Sequence, residues 1–301
     1  MEEKRVSLVT GASSGLGREI AKLLYGEGHV IYAVARRREK LLSLKKECSL
    51  HKEGGKIKII VGDLSMHDFR ENLIKEIYRK EKQIDYLINN AGFGKAIKLE
   101  NMNTEEIHTM FEVNISTYIH LASLVLENMK KRNRGKIINI GSVVAFTPLP
   151  YFTVYNSTKS AVYGFNRSLR YELKGSKVSS TVVLPARMKT GFADKAFDCY
   201  VKDGKKVCVE KFNKSAGAPI KVARKIVKNL DSGKEVILPT FLSHLWYAMR
   251  YFGFAVDFSM KNFLGPKELK NLEKEIITEQ YKKGEDVQKI MKNGSSKVVI
   301  K

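Results

Sequence analysis

Tyr155 and Lys159 stand four residues apart in a stretch that reads as helix, so both side chains project from one face. Such a pair can move a proton. A free phenol titrates near about 10, and a neighbouring ammonium favours its phenolate, which makes Tyr155 a general acid in one direction and a general base in the other. A second motif lies upstream. Residues 10–17 read Thr-Gly-Ala-Ser-Ser-Gly-Leu-Gly, directly after an apolar run and directly before a helix carrying Ile20, Ala21, Leu23 and Leu24. Gly11 permits a tight turn, Gly15 lets backbone approach a pyrophosphate, and Gly17 allows close helix packing. The helix N-terminus adds unpaired N–H donors and a positive dipole end, so Gly11, Ser13, Ser14, Gly15, Leu16 and Gly17 are the expected phosphate cradle. The following strand runs out into Arg36, Arg37 and Arg38 with no acidic residue. An acid there would bond an adenosine ribose 2′-hydroxyl, whereas arginine pairs with a 2′-phosphate, so Arg36 and Arg37 point to NADP as the cofactor.

These groups need a frame that brings distant residues together. Apolar, β-branched runs recur at Val6 to Thr10, Val30 to Val34, Ile57 to Val61, Tyr86 to Asn89, Lys136 to Ile140, Ser179 to Leu184 and Glu235 to Leu238. Helical spacing separates them, for example at Leu73, Ile74 and Ile77. Strands alternating with helices predict an α/β fold, a doubly wound Rossmann-type parallel sheet of seven strands with helices on both faces. Residues 1–239 form the expected dinucleotide-binding catalytic domain. Within it, residues 191–217 lack clear periodicity and are expected to be a substrate lid, ending at a helix opened by Pro219.

The order of the pieces resembles the short-chain dehydrogenase/reductase family over roughly Glu3 to Pro239. Its glycine spacing is that of residues 10–17, and Asp63-Leu64 follows the third strand where that family holds the adenine. Asn89-Asn90-Ala91-Gly92 is similar to the family's motif after the fourth strand, Asn114 to its helical asparagine, and Tyr155 to Lys159 to its Tyr-x-x-x-Lys signature. Ser142 follows the fifth strand, and Pro185 and Thr190 resemble the residues that flank the nicotinamide. The resemblance implies that Ser142 donates to the substrate oxygen, that Tyr155 and Lys159 also contact the cofactor, and that Asn114 anchors a water through which Lys159 regains its proton. Asp63, Leu64, Asn90, Ala91, Gly92, Pro185 and Thr190 complete the implied cofactor contacts. Two departures stand out. Pro185-Ala186-Arg187 lacks the family's usual glycine, and Ser14 occupies a position where many NADP-dependent members carry a basic residue.

The reading that follows is an NADP(H)-dependent oxidoreductase moving a hydride between the nicotinamide and a carbonyl or alcohol carbon. Its alternative is a non-catalytic NADP(H)-binding sensor or scaffold of the same fold. Phe146, Leu149, Phe152, Met188, Phe192 and Phe197 lie in segments that line the family's pocket, which leans towards an apolar ketone or acyl substrate.

The net charge of +22 attracts anions, yet the lysines are dispersed and no nucleic-acid-binding signature accompanies them, so no specific nucleic acid is expected. Cys48, Cys199 and Cys208 show neither disulfide nor zinc spacing, and the six histidines show no ligand motif, so no catalytic metal is expected. With no signal-like opening, a cytoplasmic homo-oligomer, dimer or tetramer, is the expectation. Residues 240–301 read as an amphipathic helical C-terminal extension. In it, Leu245, Met249, Phe252 and Val256 form an apolar face and Ser243, Tyr247, Arg250 and Asp257 another. Packing on the protein is the expectation for 240–264, with peripheral membrane contact, as in the lipid- and steroid-directed branch that this region resembles, the rival.

Overall fold

The computed structural model describes residues 4–50, 54–190, 192, 196, 200–202, 205–207 and 217–253. Its main sheet has seven parallel strands: β1 (Val6–Thr10), β2 (Val30–Ala35), β3 (Lys56–Val61), β4 (Tyr86–Asn89), β5 (Gly135–Ile140), β6 (Val178–Val183) and β9 (Val236–Ile237), in the order β3-β2-β1-β4-β5-β6-β9. These are the seven expected strands, within a residue or two at each end. They form because a sheet covered on both faces buries every side chain of its central strands, and β1, β2 and β4 are buried throughout.

Alternate residues serve the two faces, as the period of a strand requires. On one face, Val9, Ile31, Ala33 and Ile88 pack with Ile20 and Leu24 of α1 (Gly15–Gly26), Leu41 and Leu44 of α2 (Arg38–Ser49), and Val222 and Ile226 of α7 (Pro219–Val227). On the other, Leu8, Tyr32, Val34 and Leu87 pack with Leu73 and Ile77 of α3 (His67–Glu81), Leu121 and Val125 of α5 (Thr117–Lys131), and Leu169 of α6 (Thr153–Glu172). Chain order reverses between β1 and β4, and at such a switch point the loops at the carboxyl ends of the strands part to leave a crevice. The loops after β1, β4, β5 and β6 all open at that end of the sheet.

Between α4 (Thr104–Phe111) and α5 the backbone forms a π-helical turn, Glu112–Ser116. Two short antiparallel strands, β7 (Tyr200–Lys202) and β8 (Lys205–Val207), lie within the segment expected to be a substrate lid. Apart from these strands, Phe192, Ala196 and Gly217, residues 191–217 lie outside the described residues, as do Cys199, Cys208 and Phe197. Cys48 is a buried free thiol.

The C-terminal helix α8 (Phe241–Met249) corrects the expected orientation. Ser243 is 0% exposed, while Leu245 is 49% and Phe252 53% exposed. The side carrying Ser243, Tyr247 and Arg250 faces the protein because its polar groups find partners there. Ser243 Oγ accepts from the Ala186 N–H at 3.1 Å, and Tyr247 packs edge-on against Phe146 with ring centroids 5.5 Å apart. Arg250 stacks on the Tyr247 ring at 3.7 Å and donates to Tyr163 OH at 3.1 Å. No helix among the described residues is long and apolar enough to cross a membrane. Val256, Asp257 and the rest of the extension beyond residue 253 lie outside the described residues.

Candidate active site

The loop after β1 folds onto the loop after β4 through one hydroxyl and one amide. Thr10 Oγ1 accepts from the backbone N–H of Asn90 at 2.8 Å and of Ala91 at 3.0 Å, and Asn90 Nδ2 donates to Thr10 O at 2.8 Å. Gly11 has φ +67°, a left-handed conformation that glycine adopts without strain. At Gly17 a methyl group would lie 2.7 Å from Gly11 O and closer still to Asn90 Nδ2, so the side chain is excluded by contact. The loop then delivers α1 with its first turn open. Ser14, at the N-cap, makes no side-chain cap bond, and no acidic residue sits in the first turn. Unpaired N–H groups with no nearby carboxylate are what a pyrophosphate needs, and the site fits a dinucleotide.

Ser14 is engaged elsewhere. Arg37 Nη2 donates to Ser13 Oγ at 2.9 Å and Ser14 Oγ at 2.6 Å, so the guanidinium absent from the loop sequence arrives from the end of β2. Arg36 is 70% exposed and lies 3.5 Å from Asp63 Oδ2. Burial raises the Asp63 pKa, but bonds from the Ser65 N–H and hydroxyl, with Arg36, outweigh it and hold the carboxyl below its usual range. Leu64 is buried beside it, its carbonyl accepting from Arg70 Nη1 and Thr117 Oγ1, each at 2.9 Å.

The groups expected to transfer protons converge at the carboxyl ends of β4 to β6. Ser142 caps a 3-10 turn after β5, where its Oγ accepts from Val144 N–H at 3.3 Å, and its side chain also hydrogen-bonds Tyr155. Lys159 is 4% exposed and donates to Ile140 O at 2.9 Å, with its Nζ 5.7 Å from the centre of the Tyr155 ring. A methyl group at Gly92 would sit 3.0 Å from Asn114 Oδ1 and 3.7 Å from Lys159 Nζ, which places all three at one spot. Pro185 O accepts from Val143 N–H at 3.2 Å, tying the β6 exit to the serine turn. Thr190 meets the glycine loop, its Cβ and Cγ2 each 3.2 Å from where a Gly15 methyl would be. The structure thus brings together the four positions that the sequence proposes as catalytic.

One expectation changes. Burial pushes the Tyr155 phenol up, and the Ser142 bond opposes this only in part, so a dry surrounding outweighs the lowering expected from Lys159, whose ammonium is bonded to Ile140 O. The Asn114 side chain is committed to protein. Its Oδ1 accepts from Phe93 N–H at 3.0 Å, and its Nδ2 donates to Phe93 O at 2.8 Å and Thr158 Oγ1 at 3.1 Å. Asn114 therefore staples the π-turn to the loop after β4, with both of its side-chain N–H donors engaged by protein. The π-turn is the local signal, since such turns recur at functional sites.

Over Tyr155 lies an apolar cluster of Leu149, Phe152 and Phe192, with the Phe192 and Tyr155 ring centroids 5.3 Å apart. Phe146 and Met188 do not join it. Phe146 packs against Tyr163 and Tyr247, and Met188 against the α1 side of the core. Sequence spacing also missed His67, Glu71 and His120, which bring one ligand atom each within 4.8 Å of one another. There Arg70 Nε donates to His120 Nδ1 at 3.0 Å and Lys75 Nζ pairs with Glu71 at 2.9 Å.

Comparison with known proteins adds to this geometry. Residues 5–200 match the family described as short chain dehydrogenase. A 3-ketodihydrosphingosine reductase of Bacteroides thetaiotaomicron is 31% identical over 192 residues, 64% of this chain and 67% of that protein. The 3-oxoacyl-[acyl-carrier-protein] reductase FabG of Buchnera aphidicola is 32% identical over 192 residues, 64% of this chain and 77% of the other. Among solved structures, a short-chain dehydrogenase from Sphingobium yanoikuyae in complex with NADPH superposes with a TM-score of 0.71 at 25% identity, covering 87% of this chain and 95% of that one.

Proposed function

The chain belongs to the short-chain dehydrogenase family of oxidoreductases, and from that premise we propose that it is an NADP(H)-dependent reductase of an apolar ketone or acyl-type carbonyl. The observation that carries the reading is the meeting of Ser142, Tyr155 and Lys159 beneath the apolar wall of Leu149, Phe152 and Phe192. A binder that turned nothing over would have no use for a phenol bonded to a serine beside a buried ammonium. Both relatives named above are reductases of keto compounds, 3-ketodihydrosphingosine and 3-oxoacyl groups, which agrees with an apolar pocket.

The cofactor would be held by the open first turn of α1, by Arg37 with Ser13 and Ser14 at the 2′-phosphate, and by Lys159 at the nicotinamide ribose. Once bound, its nicotinamide supplies or accepts the hydride. The rest is the work of this chain. The hydroxyls of Ser142 and Tyr155 donate to the substrate oxygen and share the charge that grows there in reduction. Tyr155 then gives up its proton, and the Lys159 ammonium makes the resulting phenolate less costly in a dry site. Phe192 and Phe152 keep water from the reacting carbon.

The test is Tyr155→Phe. NADPH oxidation across a panel of ketones is expected to fall by about 10²–10⁴-fold, with NADPH affinity nearly intact. Undiminished turnover in the variant would overturn the assignment.

A further inference from the structure

Lys159 is a charge almost out of reach of water, and among the described residues it makes one hydrogen bond, to Ile140 O at 2.9 Å. Burial pushes it down to about 8. Two ring faces also lie against it. Its Nζ lies over the Tyr155 ring, 5.7 Å from the centroid, and over the ring of Tyr118, 5.6 Å from the centroid. Tyr118 projects from the first turn of α5, next to the π-turn that carries Asn114, and is 0% exposed. Among the described residues its hydroxyl has no hydrogen-bond partner, so the aromatic face is what Tyr118 presents to its neighbour.

We propose that Tyr118 is a positioning residue for the reaction, its ring face holding Lys159 in place and in its charged form beside Tyr155. The proposal rests on the role given to Lys159 above. An ammonium within about 6 Å of a ring centroid is attracted by the ring quadrupole, most strongly where water is excluded. Among the described residues the titratable groups facing the ammonium are two, the phenols of Tyr118 from α5 and Tyr155 from α6 itself. β5 contributes the neutral Ile140 carbonyl, the loop after β4 contributes Gly92, and the π-turn contributes the amide of Asn114. With no carboxylate in that set, the ring faces add their negative potential to that of the Ile140 carbonyl oxygen. Tyr155 cannot serve both as proton donor and as the only support of the charge that assists it, whereas Tyr118 takes no part in proton transfer.

The experiment compares Tyr118→Phe, which keeps the face and loses the hydroxyl, with Tyr118→Leu, which loses the face. A third protein carries 3,4,5-trifluorophenylalanine at this position, which keeps ring shape while draining the face of electron density and so remains informative if the leucine variant does not fold. Two readouts are taken on the full chain: the alkaline limb of the pH–rate profile for ketone reduction, and the 13Cε shift of Lys159 against pH, assigned by its loss in Lys159→Met. Tyr118→Leu and the fluorinated ring are expected to move both to lower pH by about one unit, while Tyr118→Phe leaves both where the natural protein has them. Equal movement in all three variants, or movement in none, overturns the proposal. The NMR titration needs no turnover. A natural protein inactive on every ketone would therefore count against the proposed function, while the Lys159 shift would still decide the role of Tyr118.

Discussion

Replacing Arg37 by alanine separates a phosphate-reading residue from a merely basic one. Its Nη2 is 2.9 Å from Ser13 Oγ and 2.6 Å from Ser14 Oγ, so the guanidinium is already fixed against the loop proposed to receive the cofactor. A hydrogen bond to a charged group contributes about 1.5–3 kcal/mol. At about 1.4 kcal/mol per factor of ten, Arg37→Ala is expected to weaken NADPH about 10- to 150-fold. NADH carries no 2′-phosphate, and its affinity stays as in the natural protein. Arg36 is 70% exposed and 3.5 Å from Asp63, a screened and solvated charge, so Arg36→Ala costs clearly less than Arg37→Ala. Fluorescence titration of both reduced cofactors against both variants gives the comparison. Equal losses of NADPH and NADH in Arg37→Ala would show that the residue holds the loop and reads no phosphate; unchanged NADPH affinity would remove it from the site.

Gly17→Ala puts a methyl group 2.7 Å from Gly11 O, and the displacement this forces is expected to cost about 1–3 kcal/mol, read as a lower melting temperature together with weaker NADPH binding. An alanine variant with both properties intact would show that Asn90 can yield. His29 is buried, its Nδ1 2.8 Å from Ser7 Oγ, and burial, with the Arg5 charge adding to it, pushes its pKa from 6.5 to about 4. The unfolded chain takes up that proton first as pH falls, so stability that is complete above about 6.5 declines towards about 4. Melting temperature is expected to drop between about pH 7 and pH 5 and to drop less in His29→Gln; identical slopes would refute the assignment.

Legibility followed the range of the forces involved. The seven strands were readable because a doubly covered sheet demands near-continuous apolar runs, and Val6 to Thr10 or Tyr86 to Asn89 could satisfy little else. The loop, Tyr155 and Lys159 were readable because their chemistry is local: a tight turn before a helix, and one helical turn between two side chains. What escaped depended on partners distant in the chain. Ser243 and Tyr247 look like the wet side of α8 until Ala186 N–H and the Phe146 ring are placed opposite them. Arg37 took precedence over Arg36 only through the position of Ser13 and Ser14. Phe146 and Met188 were assigned to the pocket by segment, but their directions are set by Tyr163 on α6 and by the α1 side of the core. The β7–β8 pair, three residues a strand and rich in lysine, carries too little apolar alternation to announce itself.

The π-turn at Glu112–Ser116 fixes chain length where it leaves composition comparatively free. A turn of this kind holds one residue more than the helix it interrupts. Losing a single residue there would close it to ordinary helix and rotate the preceding segment by about 100° relative to α5. The amide of Asn114 would then swing away from both backbone groups of Phe93, and the loop carrying Gly92 would lose its staple. Val113 and Ser116 can be exchanged without disturbing that count. Among heritable changes, substitutions at Val113 and Ser116 are therefore the tolerable kind, and a one-codon deletion is expected to be as damaging as the loss of Asn114 itself.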